Sequence, residues 1–290
     1  MANIKEINRK ILSLRSMQKI MHAMQMISSI KLRKLLHIQN PSEIFITSLN
    51  SIKNMILSSL RNSVHPVITG YKNVKMAHLI IFTGDRGLCG QHNSSVQKTT
   101  SICIEKNKLD LIETDVTCIG AKGAVFCKHK GYTIFSQTKI NEPLSIMTTI
   151  KQLSAKIIQR FLKGEIHQVI TISNHFASMI HHNTVISQLF PFEVQTKKDM
   201  VKQNIIAYTE PSLELFLDKA AELYLFYSLQ GMFISSQISE QAARMIAMEN
   251  SSNNSEDLVI RYARIRSRAR QSAITNELIE IISGKEALGK

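Results

Sequence analysis

After Pro211 the chain carries one glycine, Gly231, and no proline until Gly284. So long a stretch without a breaker reads as helix. Its apolar residues keep helical spacing, at Leu258, Tyr262, Ile265 and Ala269 and again at Ile274, Leu278 and Ile281. If all of it is helical, about 70 residues at ~1.5 Å each make a rod of roughly 100 Å. No single domain of this chain is that long, so much of the helix must project and needs a partner.

The N-terminus offers one. Ile4, Ile7, Ile11 and Leu14 alternate steps of three and four, the seam of a coiled coil. Two further steps of three lead to Met17 and Ile20 before the pattern resumes at Met24 and Ile27, which predicts a stammer. Ser28 and Ser29 are small enough to let a neighbouring helix approach. Asn40-Pro41 interrupts the pattern, and Phe45, Leu49, Ile52, Ile56 and Leu60 restore it. Residues 3–61 are therefore expected to form one kinked helix or two. Paired antiparallel, they reach about 85 Å, so the C-terminal helix should outrun them by some 15–20 Å. The free end is then the run 277–284, with Leu278, Ile279, Ile281 and Ile282 exposed unless another protein covers them.

Between the helices the period changes. Residues 77–83 form a continuous apolar run, the mark of a buried parallel strand. A glycine-bearing loop (84–90), a helix (92–107), a strand (116–119), a short helix (122–129), a strand (132–136), a helix (143–162) and a strand (169–173) follow. His65-Pro66 and Gly70 mark a loop before them, and residues 185–208 read as short strand and turn, a hairpin on a sheet edge. Alternating strands and helices predict a mostly parallel, Rossmann-like α/β domain. The expected organisation is an N-terminal shaft helix (1–62), an α/β foot domain (75–209) and a long C-terminal shaft helix (211–284). The fold class is α/β with an antiparallel coiled coil.

Charge narrows the partners. Lys and Arg total 36 against 22 acids, a formal net charge of +14. Residues 1–40 hold eight basic side chains and one acid, Glu6, and a second block runs from Arg261 to Arg270 with five arginines. Of that block, 261, 264 and 268 share a face while 266 and 270 point elsewhere. Nucleic acid, an anionic membrane surface and an acidic protein all fit a basic rod. Interleaved aromatics, which single-strand stacking needs, are missing: Trp is absent, and residues 1–40 hold no Phe or Tyr. The four cysteines show no CxxC spacing and are expected as reduced thiols in a cytosolic compartment. No apolar run reaches the ~18–20 residues that span a bilayer.

Signals for chemistry are few. Gly84-x-x-Gly87-x-x-Gly90 after a buried strand could turn its amides to a phosphate, or be a tight strand-to-helix turn. Its spacing is not GxGxxG and no GK[ST] follows, so a Walker loop is excluded. His181-His182 have no third ligand at a convincing spacing, and no metal or cofactor is expected. No Ser/His/Asp set or carboxylate pair stands out. Cys89, near Arg86, reads as a buried small residue before it reads as an activated thiol. The methionines 17, 21, 24, 26, 245 and 248 enrich the two seams, as gap-filling core residues do.

Several runs closely resemble the γ subunits of bacterial F-type ATP synthases. They are Ile4-Lys-Glu-Ile7, Gln18-Lys-Ile20, Ala23-Met24 with Met26, and Lys31-Leu-Arg-Lys34 near the N-terminus. In the middle are Asp85-Arg-Gly-Leu-Cys-Gly90, Gly120-x-Lys-Gly123, Ser173-Asn174 with Phe176, and Ser187-Gln-Leu189. At the C-terminus are 239–248 and 269–282. The resemblance implies a rotor shaft without an active site, inside a ring of α and β subunits and in contact with the ε subunit and the c-ring. It further implies coupling of proton-driven rotation to ATP synthesis, at the cytoplasmic face of a bacterial inner membrane. By it, Met24 faces an acidic β segment, and Arg244, Gln271 and Thr275 are polar shaft contacts. Glu280, Ile281 and Ile282 form the tip held in an apolar bearing. Gln25 stands where the family commonly has an acid, and Arg266-Ser-Arg268 where it has Tyr-Asn-Lys, which makes this shaft more basic. The alternative is a basic coiled coil that binds nucleic acid, with a salt-dependent affinity.

Overall fold

The apolar run of the mid-sequence becomes the central strand of a five-stranded sheet. In a computed structural model describing residues 2–59, 65–140, 143–179, 182–192 and 213–288, the elements in chain order begin with α1 (Ala2–Ser59) and the single turn α2 (Pro66–Thr69). β1 (Met76–Phe82), α3 (His92–Leu109), β2 (Glu113–Ile119), α4 (Ala121–Lys130) and β3 (Thr133–Thr138) follow. The chain ends with α5 (Pro143–Leu162), β4 (Gln168–Phe176), β5 (His182–Phe190) and α6 (Leu213–Leu288). The chain falls into two compact units, residues 30–243 and residues 1–29 with 244–290, so the division lies inside both long helices.

The first unit holds the sheet, in strand order β3-β2-β1-β4-β5. β1, β2, β3 and β4 run parallel, and β5 closes one edge antiparallel to β4. This is the expected α/β arrangement, and the antiparallel edge strand, His182–Phe190, begins three residues before the strand-and-turn stretch expected at 185–208. The rest of the anticipated hairpin, residues 193–208, and the expected start of the last helix at 211 lie outside the described residues. Every residue of β1 after Met76 is buried, as the unbroken apolar run requires. Leu79, Ile81, Val116, Cys118, Ile170 and Ile172 pack on one face with Val96, Cys103 and Ile104 of α3 and Ala124 and Cys127 of α4. On the other face α5 buries Ile146, Ile150, Ile157 and Phe161. Phe161, Phe190, Phe192 and Tyr224 continue that core from α5 through the edge strand to α6, at centroid spacings of 5.0–6.1 Å. His65-Pro66, read as loop, instead opens α2: the His65 ring accepts the Val67 N–H at 3.3 Å and Pro66 takes the first helical turn.

The second unit pairs the N-terminal part of α1 with the C-terminal part of α6. Asn8 stands against Arg266 (3.4 Å), Gln18 against Glu256 (3.5 Å) and Met21 against Ser255 (3.7 Å), an antiparallel register. The seam on α1 runs 4, 7, 11, 14, 18, 21, 25, 28, all buried or half-buried, in unbroken steps of three and four. This corrects the expected stammer. Met17, Ile20 and Ile27 are 45%, 60% and 54% exposed, while Gln18 and Ser28 hold the seam. Ile7 and Ile11 anchor the 3.5-residue register, and keeping it constant outweighs placing every apolar residue inside.

The same register corrects α6. Its seam passes through Met248, Ser252, Ser255, Val259, Tyr262, Ala269 and Ala273, leaving Leu258 and Ile265 about 40% exposed. Tyr262 and Ala269 lie on the seam as expected. α6 also runs unbroken through Asn253-Asn254, whose side chains are exposed. The neighbouring Ser255 is buried, with its hydroxyl 2.8 Å from the Ser251 carbonyl oxygen, so tertiary packing outweighs the low helix propensity of the Asn pair. α1 is likewise a single helix through Asn40-Pro41.

Candidate functional site

The 84–90 loop is closed by the protein's own side chains. Asp85 Oδ1 accepts the N–H of Ala121, the first residue of α4, at 2.7 Å, and Oδ2 accepts the N–H of Ile140 at 2.8 Å. A carboxylate of the loop thus holds the N-terminus of α4, the helix that follows β2. Asn93 accepts the Gly84 N–H at 2.8 Å and donates to the Arg86 carbonyl at 3.2 Å. A Cβ at Gly84 would stand 2.7 Å from the Glu240 carboxylate of α6, so glycine here permits the helix to pass close by. Of the two readings of the loop, the geometry supports the turn. Cys89 is buried within it, as expected, its sulfur 3.2 Å from the Asn93 amide.

A polar cluster the sequence did not reveal lies under α5. His78 and Asp115 are register partners on β1 and β2, hydrogen-bonded through Nδ1, and His78 Nε2 is 3.1 Å from the Thr117 hydroxyl. Arg160 of α5 pairs with Asp115 at 2.9 Å and lies 4.2 Å over the Phe135 ring. Hydroxyl, imidazole and carboxylate stand in the order of a nucleophilic triad. All three are buried, so the hydroxyl is sealed from substrate and the set acts as a clamp between β1, β2 and α5. Burial pushes the Asp115 carboxyl up, but His78 and Arg160 outweigh it and hold the group below its ordinary value. Residues 37 and 39 apart in sequence meet only through strand register, which is why spacing gave no signal.

A cleft of about 630 Å³ lies between α1, the β4–β5 edge and α6, with Asn50, Lys53, Ser173, His175 and Tyr224 on its walls. Lys53 Nζ sits 5.5 Å from the Tyr224 ring centroid. Among the described residues, no group of three His, Cys, Asp or Glu side chains is placed to hold a metal, and no helix is long and apolar enough to cross a membrane.

The residues expected to make contacts lie along the paired helices. Met24 is half-buried on α1 and Arg244 half-buried on α6. Gln271 and Thr275 are exposed, the Thr275 hydroxyl donating to the Gln271 carbonyl oxygen at 3.0 Å. Glu280 is exposed, and Ile281 and Ile282 are 68% and 59% exposed. The register sets Ala2 opposite the residues near 272, so α6 continues for about 15 more residues, ~22 Å, with no helix paired to it among the described residues. The structure therefore gathers Gln271 to Ile282 in one terminal stretch and keeps Met24 and Arg244 apart from it. Sequence reasoning missed the outward apolar stripe of Met17, Ile20 and Ile27, because it had placed those side chains inside the seam.

Comparison with known proteins agrees with this architecture. The sequence profile of the family described as ATP synthase matches residues 3–288. The ATP synthase gamma chain of Helicobacter pylori (strain G27) is 30% identical over 300 residues, covering 99% of this chain and all of that one. A chain in the Euglena gracilis mitochondrial ATP synthase OSCP/F1/c-ring assembly, rotational state 3, superposes with a TM-score of 0.67 at 12% identity, over 99% of this chain and 95% of that chain. One in the Euglena gracilis ATP synthase rotor, rotational state 1, gives 0.62 at 11% identity, over 94% and 99%. At such identities the two structures speak for the fold. Nothing in these likenesses supports the nucleic-acid-binding alternative. A profile match across nearly the whole sequence and full-length identity of 30% establish that the chain belongs to the ATP synthase gamma chain family.

Proposed function

We propose that this chain is the central-stalk rotor of an F-type ATP synthase and carries no active site of its own. In this reading the paired helices turn inside a ring of α and β subunits, and the α/β unit is the foot that meets the ε subunit and the c-ring. Proton-driven rotation of the ring then changes which catalytic subunit the shaft presses against. A shaft with different faces supplies the differential contact that any shift between subunit conformations requires. The three-part division into shaft helix (1–62), foot (75–209) and shaft helix (211–284) belongs to the same proposal. So does peripheral placement at the cytoplasmic face of a bacterial inner membrane.

The observation that carries it is the unpaired end of α6, where Leu278, Ile279, Ile281 and Ile282 are all more than half exposed. Four large apolar side chains in five residues at the end of a helix call for a protein cover. An apolar sleeve in the catalytic ring would cover them and act as a bearing. Met24, Arg244, Gln271, Thr275, Glu280, Ile281 and Ile282 are the proposed contact positions.

Co-expression with the cognate α and β subunits tests the reading. A stoichiometric complex is expected, and a Met24→Cys variant crosslinked to the acidic segment of β should stop turnover until the bond is reduced. A well-behaved monomer that never associates with α and β would refute the proposal.

A further inference from the structure

Two of the four buried cysteines, none of which forms a disulfide, stand next to each other. The sulfurs of Cys118 on β2 and Cys127 on α4 are 3.7 Å apart, both side chains fully buried against the α3–α4 face of the sheet. We propose that this pair is a modification site, which a peroxide converts into a reversible intramolecular disulfide tying α4 to β2.

The chemistry follows from the contact. Cys118 S–H donates to the Cys127 sulfur, and that hydrogen bond holds the Cys127 thiol below its ordinary range although burial opposes it. Cys127 is therefore the first thiolate. It attacks one oxygen of hydrogen peroxide, the O–O bond breaks, and with one proton taken up the products are a Cys127 sulfenic acid and water. The Cys118 sulfur then attacks the Cys127 sulfur, the S–O bond breaks, and the Cys118 proton leaves with the hydroxide as a second water. Two thiols and one peroxide give one disulfide and two waters. Closing the gap to ~2.05 Å requires about 1.6 Å of approach, and residual strain makes the bond easier to reduce.

Access comes from position in the sheet. β3, which pairs with β2, is an edge strand whose residues alternate between exposed and half-buried, and α4, which precedes it, has ten residues. Such an edge opens at lower free energy than the central strands, and peroxide is small enough to use a brief opening. Cys103 shares this core from α3, and Cys89 is held in the 84–90 loop.

The test is peroxide treatment of the full-length chain under native conditions, followed by denaturation, alkylation and peptide mapping. Most of the protein is expected to lose two hydrogens (about 2 Da). The 118 and 127 peptides should be joined, Cys89 and Cys103 still alkylated, and dithiothreitol should restore both thiols. Cys118→Ala and Cys127→Ala should each abolish the mass loss, and Cys103→Ala should leave it intact. Free alkylation of Cys118 and Cys127 after treatment, a Cys127 sulfinic acid in place of the disulfide, or a bond that includes Cys103 would each overturn the proposal. Because mapping is done on the unaltered chain, poor folding of a variant does not weaken the result.

Discussion

Asp85 accepts the backbone N–H of Ala121 at 2.7 Å, so the first turn of α4 is occupied by a carboxylate from the loop that follows β1. The second oxygen binds the Ile140 N–H beyond β3, so one side chain joins three segments. Charge-assisted hydrogen bonds of this kind contribute about 1.5–3 kcal/mol each. Asp85→Ala should lower the urea midpoint of the α/β unit by an amount corresponding to at least about 2 kcal/mol. Asp85→Asn should fall between the variant and the parent, since its amide oxygen can still accept one bond. Added nucleotide should not raise the thermal midpoint of either variant or parent; stabilisation of the parent would reopen the phosphate-binding reading of the loop.

Gly120 and Gly131 both have positive φ, +107° and +69°, but they differ in surroundings. A Cβ at Gly120 would lie 1.9 Å from the Thr83 carbonyl oxygen, whereas nothing stands within 4 Å of one at Gly131. Gly131→Ala therefore meets only the left-handed backbone penalty, about 1–2 kcal/mol. Gly120→Ala adds a backbone clash that forces α4 off β1. It should leave the α/β unit unfolded or destabilised well beyond the Gly131 variant, as equilibrium denaturation followed by circular dichroism will report.

Asp115 makes acid stability testable. Its folded pKa is depressed below the ordinary carboxylate value, so its ionised form contributes stability that is fully present above the unfolded pKa of about 3.9. That contribution is lost as pH falls through the lower, folded value. The unprotonated group is paired with His78 and Arg160, and proton binding breaks both interactions. Asp115→Asn should flatten the acid limb of the stability profile below about pH 4. At neutral pH it leaves Arg160 without its buried partner, which should cost about 3–5 kcal/mol. An unchanged acid limb would show that other carboxylates govern it.

The sheet was legible because its signals are local. The apolar run of β1, the glycines around the exit turns and the amphipathic pattern of residues 143–162 each predict an element without reference to the others. The seam of the coiled coil was legible only over its first turns. From Leu14 onward, the choice between Met17 and Gln18 depends on what the facing helix presents, and Ser252 and Ser255 leave room there for small or polar neighbours. Hydrophobicity alone follows Met17 and Ile20, while a constant register follows Gln18 and Met21. The His78–Asp115–Thr117 set was invisible for a related reason, since strand pairing rather than spacing brings those residues together. The tip at 278–282 could be read directly, because an over-long helix with an apolar end is a matter of counting residues.

The exposed stripe separates folding from assembly. Ile11 is 4% exposed on the seam, and Ile20 is 60% exposed a little over two turns further along the same helix. Ile11→Ala removes buried methylenes from a narrow two-helix interface, where large-to-small changes cost about 2–5 kcal/mol. It should lower the melting temperature of the paired helices. Ile20→Ala lies off the seam and should shift their stability by no more than about 0.5 kcal/mol. If the outward stripe of Met17, Ile20 and Ile27 contacts the catalytic ring, the triple alanine variant should keep its helicity yet weaken assembly with α and β. Pull-down yield measured beside the circular dichroism melt distinguishes the two effects. A triple variant that melts like Ile11→Ala would place those side chains inside the coiled coil, and one that assembles as well as the parent would leave the stripe without a role in the complex.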